Sequence, residues 1–175
     1  MVLESGEVWC KAGSELLRAV RGKRSQVAFS RRLGFRSNVA ADWEGGHRFP
    51  DADVLLRAMA RVQIDVEAGF EAFHDGSASA AADGIAAWLT ALSGSTTQAE
   101  IARRTGFSRH QVRRWLRGEA RPRVPEFLRL VHGLTGRAHD WVAAFVDIGG
   151  VPSLYAAWSA SQTASRLAFD VPWSS

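Results

Sequence analysis

Five side chains that carry, or can carry, a positive charge recur at helical spacing between positions 109 and 117. Arg109, Arg113 and Arg117 form one i, i+4 row, and His110 and Arg114 form a second row beside it. The segment contains no acidic residue. Because like charges on one helix face repel each other, and solvated faces usually mix both signs, the pattern favours a polyanion opposite this face. The chemistry that these residues could do is therefore binding.

The same segment has an apolar side that predicts a buried helix over 109–117. Its apolar residues follow the i, i+3, i+4 spacing: Val112, Trp115 and Leu116. Ser108–Gln111 matches a capping box that begins a helix, and Gly118 is suited to end it. Thr97–Glu100 is a second capping box, and Gly106 ends the helix that follows it. The sequence thus predicts a short helix, a glycine turn and a second short helix.

The chain repeats itself with a period of 72 residues. Residues 16–73 align without a gap with residues 88–145, and about one position in four is identical. The identical pairs include Trp43 with Trp115, Gly46 with Gly118, Pro50 with Pro122, and Phe73 with Phe145. Shared Trp, Gly and Pro at fixed spacing indicate two related units. Apolar spacing is helical throughout both copies, and no alternation long enough for a strand interrupts it.

These observations predict an all-α protein of two tandem five-helix units with a short helical C-terminal tail. The small residues of 75–84 are typical of a linker, or of a linker that runs into a helix. We therefore expect four segments: a first unit over 1–74, the linker over 75–84, a second unit over 85–146, and the tail over 147–175.

Residues 98–118 resemble the Cro/C1-type (XRE) helix-turn-helix family. The shared features are the leading Gln98, an Ala before two basic residues, the glycine turn, the buried valine and the ending Trp115-x-x-Gly118. Residues 26–46 are a looser copy, so the resemblance covers both repeats and not the tail. It implies two lambda-repressor-like units whose second short helices, 109–117 and 37–45, enter the major groove of double-stranded DNA.

The resemblance also implies which residues contact DNA. The positions expected at base edges are Arg109, His110 and Arg114 in the second repeat, and Ser37 and Asn38 in the first. The positions expected at phosphates are Gln98, Gln26, Arg113, Arg117, Arg121 and Arg123. Phosphate contacts set the register on the duplex, whereas base contacts select the sequence.

The first repeat departs from this pattern. Asp42 stands at its third base-facing position, and Arg36 stands where a capping residue is expected. Residues 14–74 hold 10 basic and eight acidic residues, whereas 86–146 hold 10 and four. Three interpretations remain open. The first repeat binds DNA weakly, or it contacts a second, different half-site. In the third, it serves with the tail as a contact for a protein partner or for self-association, as in a DNA-binding adaptor or antitoxin.

The sequence contains no motif that indicates another class of function. One cysteine excludes an intrachain disulfide framework and a Cys-based zinc site, and the histidines have no metal-ligand spacing. There is no phosphate-binding glycine loop, nucleophile elbow, signal sequence or long apolar run. The net charge of +4 is consistent with a polyanionic partner. We therefore expect a bacterial transcription regulator that is cytoplasmic and nucleoid-associated. We expect it not to be an enzyme and to have no catalytic residue, metal, cofactor or membrane contact.

Overall fold

The computed structural model describes residues 5–156, and their regular structure is helical, as predicted. The elements are α1 Ser5–Arg21, α2 Gln26–Arg32, α3 Val39–Glu44, α4 Ala52–Arg61, α5 Val66–Phe73, α6 Ser77–Ala82, α7 Ile85–Ser93, α8 Gln98–Thr105, α9 Arg109–Leu116, α10 Val124–Thr135, α11 Ala138–Ala143 and a 3₁₀ turn Ile148–Gly150. None of these helices is long and apolar enough to cross a membrane. Most of the predicted tail, 157–175, lies outside the described residues.

The 72-residue period recurs in the helix boundaries. Helices α2, α4 and α5 begin at Gln26, Ala52 and Val66, and α8, α10 and α11 begin 72 residues later at Gln98, Val124 and Ala138. Helices α1 and α7 also end 72 residues apart. We call α1–α5 unit 1 and α7–α11 unit 2.

The two units differ in their first helix and in what joins them. Helix α1 begins two turns earlier than its equivalent α7, and this extra length carries the buried Trp9. Within the predicted linker 75–84, six residues form α6. Beyond unit 2 the chain returns to α1, where the Ser153 backbone N–H and hydroxyl both donate to the Glu15 carboxylate, at 3.0 and 2.7 Å.

Trp43 and Trp115 fill equivalent places in the two units. Both are buried, and each meets the phenylalanine eight residues earlier edge to face. The ring centroids of Phe35 and Trp43 are 5.8 Å apart at 90°, and those of Phe107 and Trp115 are 4.8 Å apart at 86°. The prediction that the two tryptophans are equivalent hydrophobic plugs is confirmed.

The units share one hydrophobic core rather than two. The ring centroid of Phe70 in unit 1 lies 5.0 Å from that of Trp88, 6.0 Å from that of Trp141 and 5.5 Å from that of Phe145, all in unit 2. Each of these side chains is buried. Since a buried aromatic ring contributes on the order of 2–3 kcal/mol, this cluster fixes the position of one unit on the other.

Candidate nucleic-acid interface

Helix α9 is formed by local signals at both ends. The Ser108 hydroxyl accepts a hydrogen bond from the Gln111 backbone N–H at 3.1 Å, which caps the N-terminus as predicted. Arg117 is the C-cap, and Gly118 follows with a φ of +73°, where a side chain would be strained. Val112 and Trp115 are buried and Leu116 is partly buried against the core, so the basic positions of α9 face outward.

The outward face of α9 is cationic. The side chains of Arg109, His110, Arg113, Arg114 and Arg117 are all exposed. Among the described residues, the side chains of Arg109, Arg113 and Arg114 form no hydrogen bond or ion pair. Arg117 has a long ion pair with Glu119, 3.9 Å between nitrogen and oxygen, and both side chains are at least half exposed. Such a pair is worth little, so this face keeps its positive charge.

Arg129 holds the turn between α8 and α9. Its guanidinium carbon lies 5.0 Å above the Phe107 ring, and that ring packs in turn on Trp115. A Cβ added at Gly106, where φ is +79°, would lie 2.7 Å from the Arg129 guanidinium. Arg129 was not among the residues predicted to form the site. Its identity with Arg57 across the 72-residue period is the feature of the sequence that marks it.

Helix α8 begins at Gln98, which is partly buried, as is its equivalent Gln26 at the start of α2. Arg103 and Arg104 both donate to the Glu100 carboxylate. These hydrogen bonds lower the pKa of Glu100 to about 2. The acid of α8 is therefore neutralised by arginines of the same helix and does not offset the charge of α9.

Helix α3 differs from the prediction of a helix over 37–45, because it begins at Val39 and ends at Glu44. Arg36 stands where Ser108 stands in unit 2, and its side chain has no acceptor for a cap. Asn38 takes that role two residues later: its side-chain oxygen accepts from the Ala41 N–H at 3.4 Å. Ser37 therefore precedes the helix, and the Asn38 oxygen is partly occupied by the cap.

An ion pair fixes the end of α3. The Arg21 guanidinium donates two hydrogen bonds of 2.8 Å to the two carboxylate oxygens of Glu44, and Arg18 adds a contact of 3.3 Å. At the equivalent place in unit 2, the Thr90 hydroxyl donates to the backbone oxygen of Leu116 at 3.1 Å. Unit 1 thus uses two of its basic residues internally, whereas unit 2 uses a neutral hydrogen bond.

Arg121 and Arg123 lie where the two units meet. We call this place the junction, residues 50–53 and 121–124. Arg121 pairs with Asp53 at 3.1 Å, and Arg123 donates to the backbone oxygen of Phe49 at 2.8 Å. Both side chains remain exposed. Two of the six predicted phosphate contacts are therefore held by unit 1 while they face solvent.

Comparison with known proteins assigns no family to this arrangement. No protein-family model, curated protein or solved structure matches the chain. Any functional proposal depends on the geometry and charge of the site itself.

Proposed function

We propose that this chain is a sequence-specific double-stranded DNA-binding protein, a transcription regulator, whose helix α9 lies in the major groove. The observation that carries the proposal is the exposed face of α9. Three of its arginines form no hydrogen bond or ion pair within the described part of the chain, and the helix is capped and buried on its other side. An α-helix fits the width of the major groove. Arginine suits that groove, because its planar fork matches the O6 and N7 atoms of guanine.

The roles of the individual side chains follow from their places on the helix. Arg109 and His110 occupy the first turn of α9, and Arg114 lies one turn beyond His110 on the same row. We assign these three to base edges. Arg113 and Arg117 lie on the neighbouring row, and we assign them to phosphates together with Gln98 at the start of α8, where the helix dipole also favours an anion.

Unit 1 contributes less to affinity in this proposal. Asp42 is exposed on α3, where its carboxylate would repel the phosphates of a bound duplex. Ser37 and Asn38 carry no charge, and Asn38 is engaged as the cap of α3. We therefore assign most of the binding free energy to unit 2, and a weaker, differently specified contact to unit 1.

Selection of bound duplexes from a random library tests the proposal. We expect one sequence class to be enriched, and Arg109→Ala and Arg114→Ala each to cost about 1–3 kcal/mol on that sequence and to relax selection at one base pair. The matched control is Arg61→Ala, which removes the same charge from an exposed position at the end of α4.

Three results would contradict this assignment. If no duplex is enriched, the chain does not select DNA sequence. If Arg109→Ala weakens binding to selected and random duplexes equally, α9 is not the helix in the groove. If Arg61→Ala costs as much as Arg109→Ala, net charge alone explains the affinity.

A second candidate function is contact with a protein partner or with another copy through unit 1. Val27 and Phe35, close to α3, are 46% and 37% exposed. Their equivalents are Ala99, which has little apolar surface, and Phe107, which Arg129 covers. Sedimentation of Val27→Ser beside the parent chain tests self-association, because removal of this exposed apolar side chain should then lower the association state without a change in DNA affinity.

A further inference from the structure

The two units pair through equivalent residues. Asp51 and Arg123, which are 72 positions apart, form an isolated antiparallel bridge. The Ala52 N–H donates to the Pro122 oxygen at 2.9 Å, and the Val124 N–H donates to the Pro50 oxygen at 3.0 Å. Each of these hydrogen bonds is the image of the other under the 72-residue shift.

Such reciprocal pairing defines a local two-fold axis through the bridge. When residue i contacts residue j and the equivalent of i contacts the equivalent of j in return, the interface is isologous. Two helix pairs agree with the bridge, because α4 contacts its own equivalent α10, and α5 contacts its own equivalent α11. The contact of α1 with α10 has no equally extensive counterpart between α7 and α4, and it includes Trp9, which meets His132 from the extra length of α1. A translational repeat would instead place unlike surfaces together. The units are thus tandem in sequence but related by rotation in space.

The two-fold axis lies beside the DNA-binding face proposed above. Ser37, which precedes α3, and Asp42, which is exposed on α3, line one groove with Arg121 and Arg123 of the junction. The axis passes through that junction and relates α3 to α9. The two helices therefore border the junction from opposite sides.

We propose that one copy of this chain binds an inverted repeat, with α9 in one half-site and α3 in the other. This inference rests on the proposed function, and it adds the orientation of the two half-sites and a stoichiometry of one chain per duplex. Two-fold symmetry in a protein is matched by two-fold symmetry in the bound duplex, with half-site centres about one helical turn, or a multiple of it, apart. A direct repeat would require the units to be related by translation.

The inverted arrangement of the two half-sites is not expected to be visible in their base sequences. Arg109, His110 and Arg114 of α9 correspond to Ser37, Asn38 and Asp42 of unit 1, and these side chains have different hydrogen-bonding groups. The two halves therefore differ in sequence. Among the side chains assigned to phosphates, Gln98 keeps the symmetry through its equivalent Gln26, since phosphates are the same at every base pair. Arg113 and Arg117 correspond to Ala41 and Gly45, so unit 2 holds the phosphates more strongly.

Hydroxyl-radical footprinting of the full chain on its selected duplex tests the orientation without any substitution. We expect two protected segments, with the pattern on one strand in the first half matching the pattern on the other strand in the second half. The same pattern repeated along one strand would show a direct repeat and overturn the inference while leaving the proposed function intact. A single protected segment, or two chains per duplex by sedimentation, would also overturn it. Failure to select any duplex would overturn both proposals.

A symmetrised variant gives a second test. The substitutions Arg36→Ser, Ser37→Arg, Asn38→His and Asp42→Arg give unit 1 the cap and the three base-facing residues of α9. Selection with this variant should enrich an inverted repeat of the half-site that α9 prefers, at least tenfold over the same two half-sites arranged as a direct repeat. Equal enrichment, or preference for the direct repeat, would overturn the inference. Helical circular dichroism equal to that of the parent chain is the folding control, and the footprint decides if the variant does not fold.

Discussion

Arg21 and Glu44 join the first helix of unit 1 to the end of α3 through two hydrogen bonds of 2.8 Å, and the Glu44 side chain is only 4% exposed. Glu44→Gln keeps the shape of the side chain but leaves the Arg21 guanidinium without its counter-charge. We expect a loss of about 1–3 kcal/mol in the free energy of unfolding, measured by urea denaturation.

The control for this change is Glu119→Gln. Glu119 and Arg117 are 3.9 Å apart, with side chains about half exposed, so this substitution should cost less than about 0.5 kcal/mol. Equal losses for the two variants would mean that the Arg21–Glu44 pair does not hold α3.

The close approach of α5 to the end of unit 2 is tested by Gly69→Ala. A Cβ at Gly69 would lie 2.3 Å from the ring of Phe145, which follows α11, so α5 and this segment would have to separate. We expect a loss of about 1–3 kcal/mol, although alanine favours a helix over glycine. Gly6→Ala in α1 is the matched control, since nothing lies within 4 Å of its added Cβ. A stabilised Gly69→Ala variant would contradict the close approach.

Stability should depend on pH through His132. Its ring lies 5.3 Å from Trp9 of α1, and burial, together with the neighbouring His139, lowers the pKa of His132. The unfolded chain takes up that proton at about pH 6.5 and the folded chain only at lower pH. The free energy of unfolding should therefore decrease as the pH falls through about 6.5, and level off below the folded pKa. His132→Gln should flatten this slope in urea denaturations at several pH values, whereas His47→Gln, an exposed position, should not.

The shared core predicts one cooperative unfolding transition. A shortened chain that begins at Asp83 would lack Phe70 and Phe73, and the ring contacts of Trp88, Trp141 and Phe145 with Phe70 would be lost. We expect that fragment to lose the sharp thermal transition of the parent chain in calorimetry. Two separate transitions in the parent, or a fragment as stable as the parent, would contradict the shared core.

Helix α9 was predictable from sequence because its signals are local. Ser108, Val112, Trp115 and Gly118 each specify a cap, a buried side or an end within a few residues. The period of 72 residues then transferred the pattern to unit 1. The start of α3 that this transfer predicted was wrong. Arg36 occupies the position of Ser108 but lacks the side-chain acceptor that Ser108 supplies, so α3 begins later, after Asn38.

The junction and the shared core were not predictable in the same way. The bridge between Asp51 and Arg123, and the contacts of Phe70 with unit 2, join residues about 18–75 positions apart in the sequence. Periodicity shows which side of a helix is buried and not what it is buried against. The small residues of 75–84 favoured a linker between separate domains, whereas the aromatic residues on both sides of it pack together.

The ends of α3 and α9 have been stabilised in different ways: a charged pair with Glu44 in one unit, and a hydroxyl of Thr90 bonded to Leu116 in the other. In an assembly of two identical subunits, any substitution changes both copies of a contact at once, so one half cannot vary while the other is kept. Two units encoded in one chain are free of that constraint. A substitution can change one copy alone, and equivalent positions do differ: Ser37 stands opposite Arg109, and Asp42 opposite Arg114.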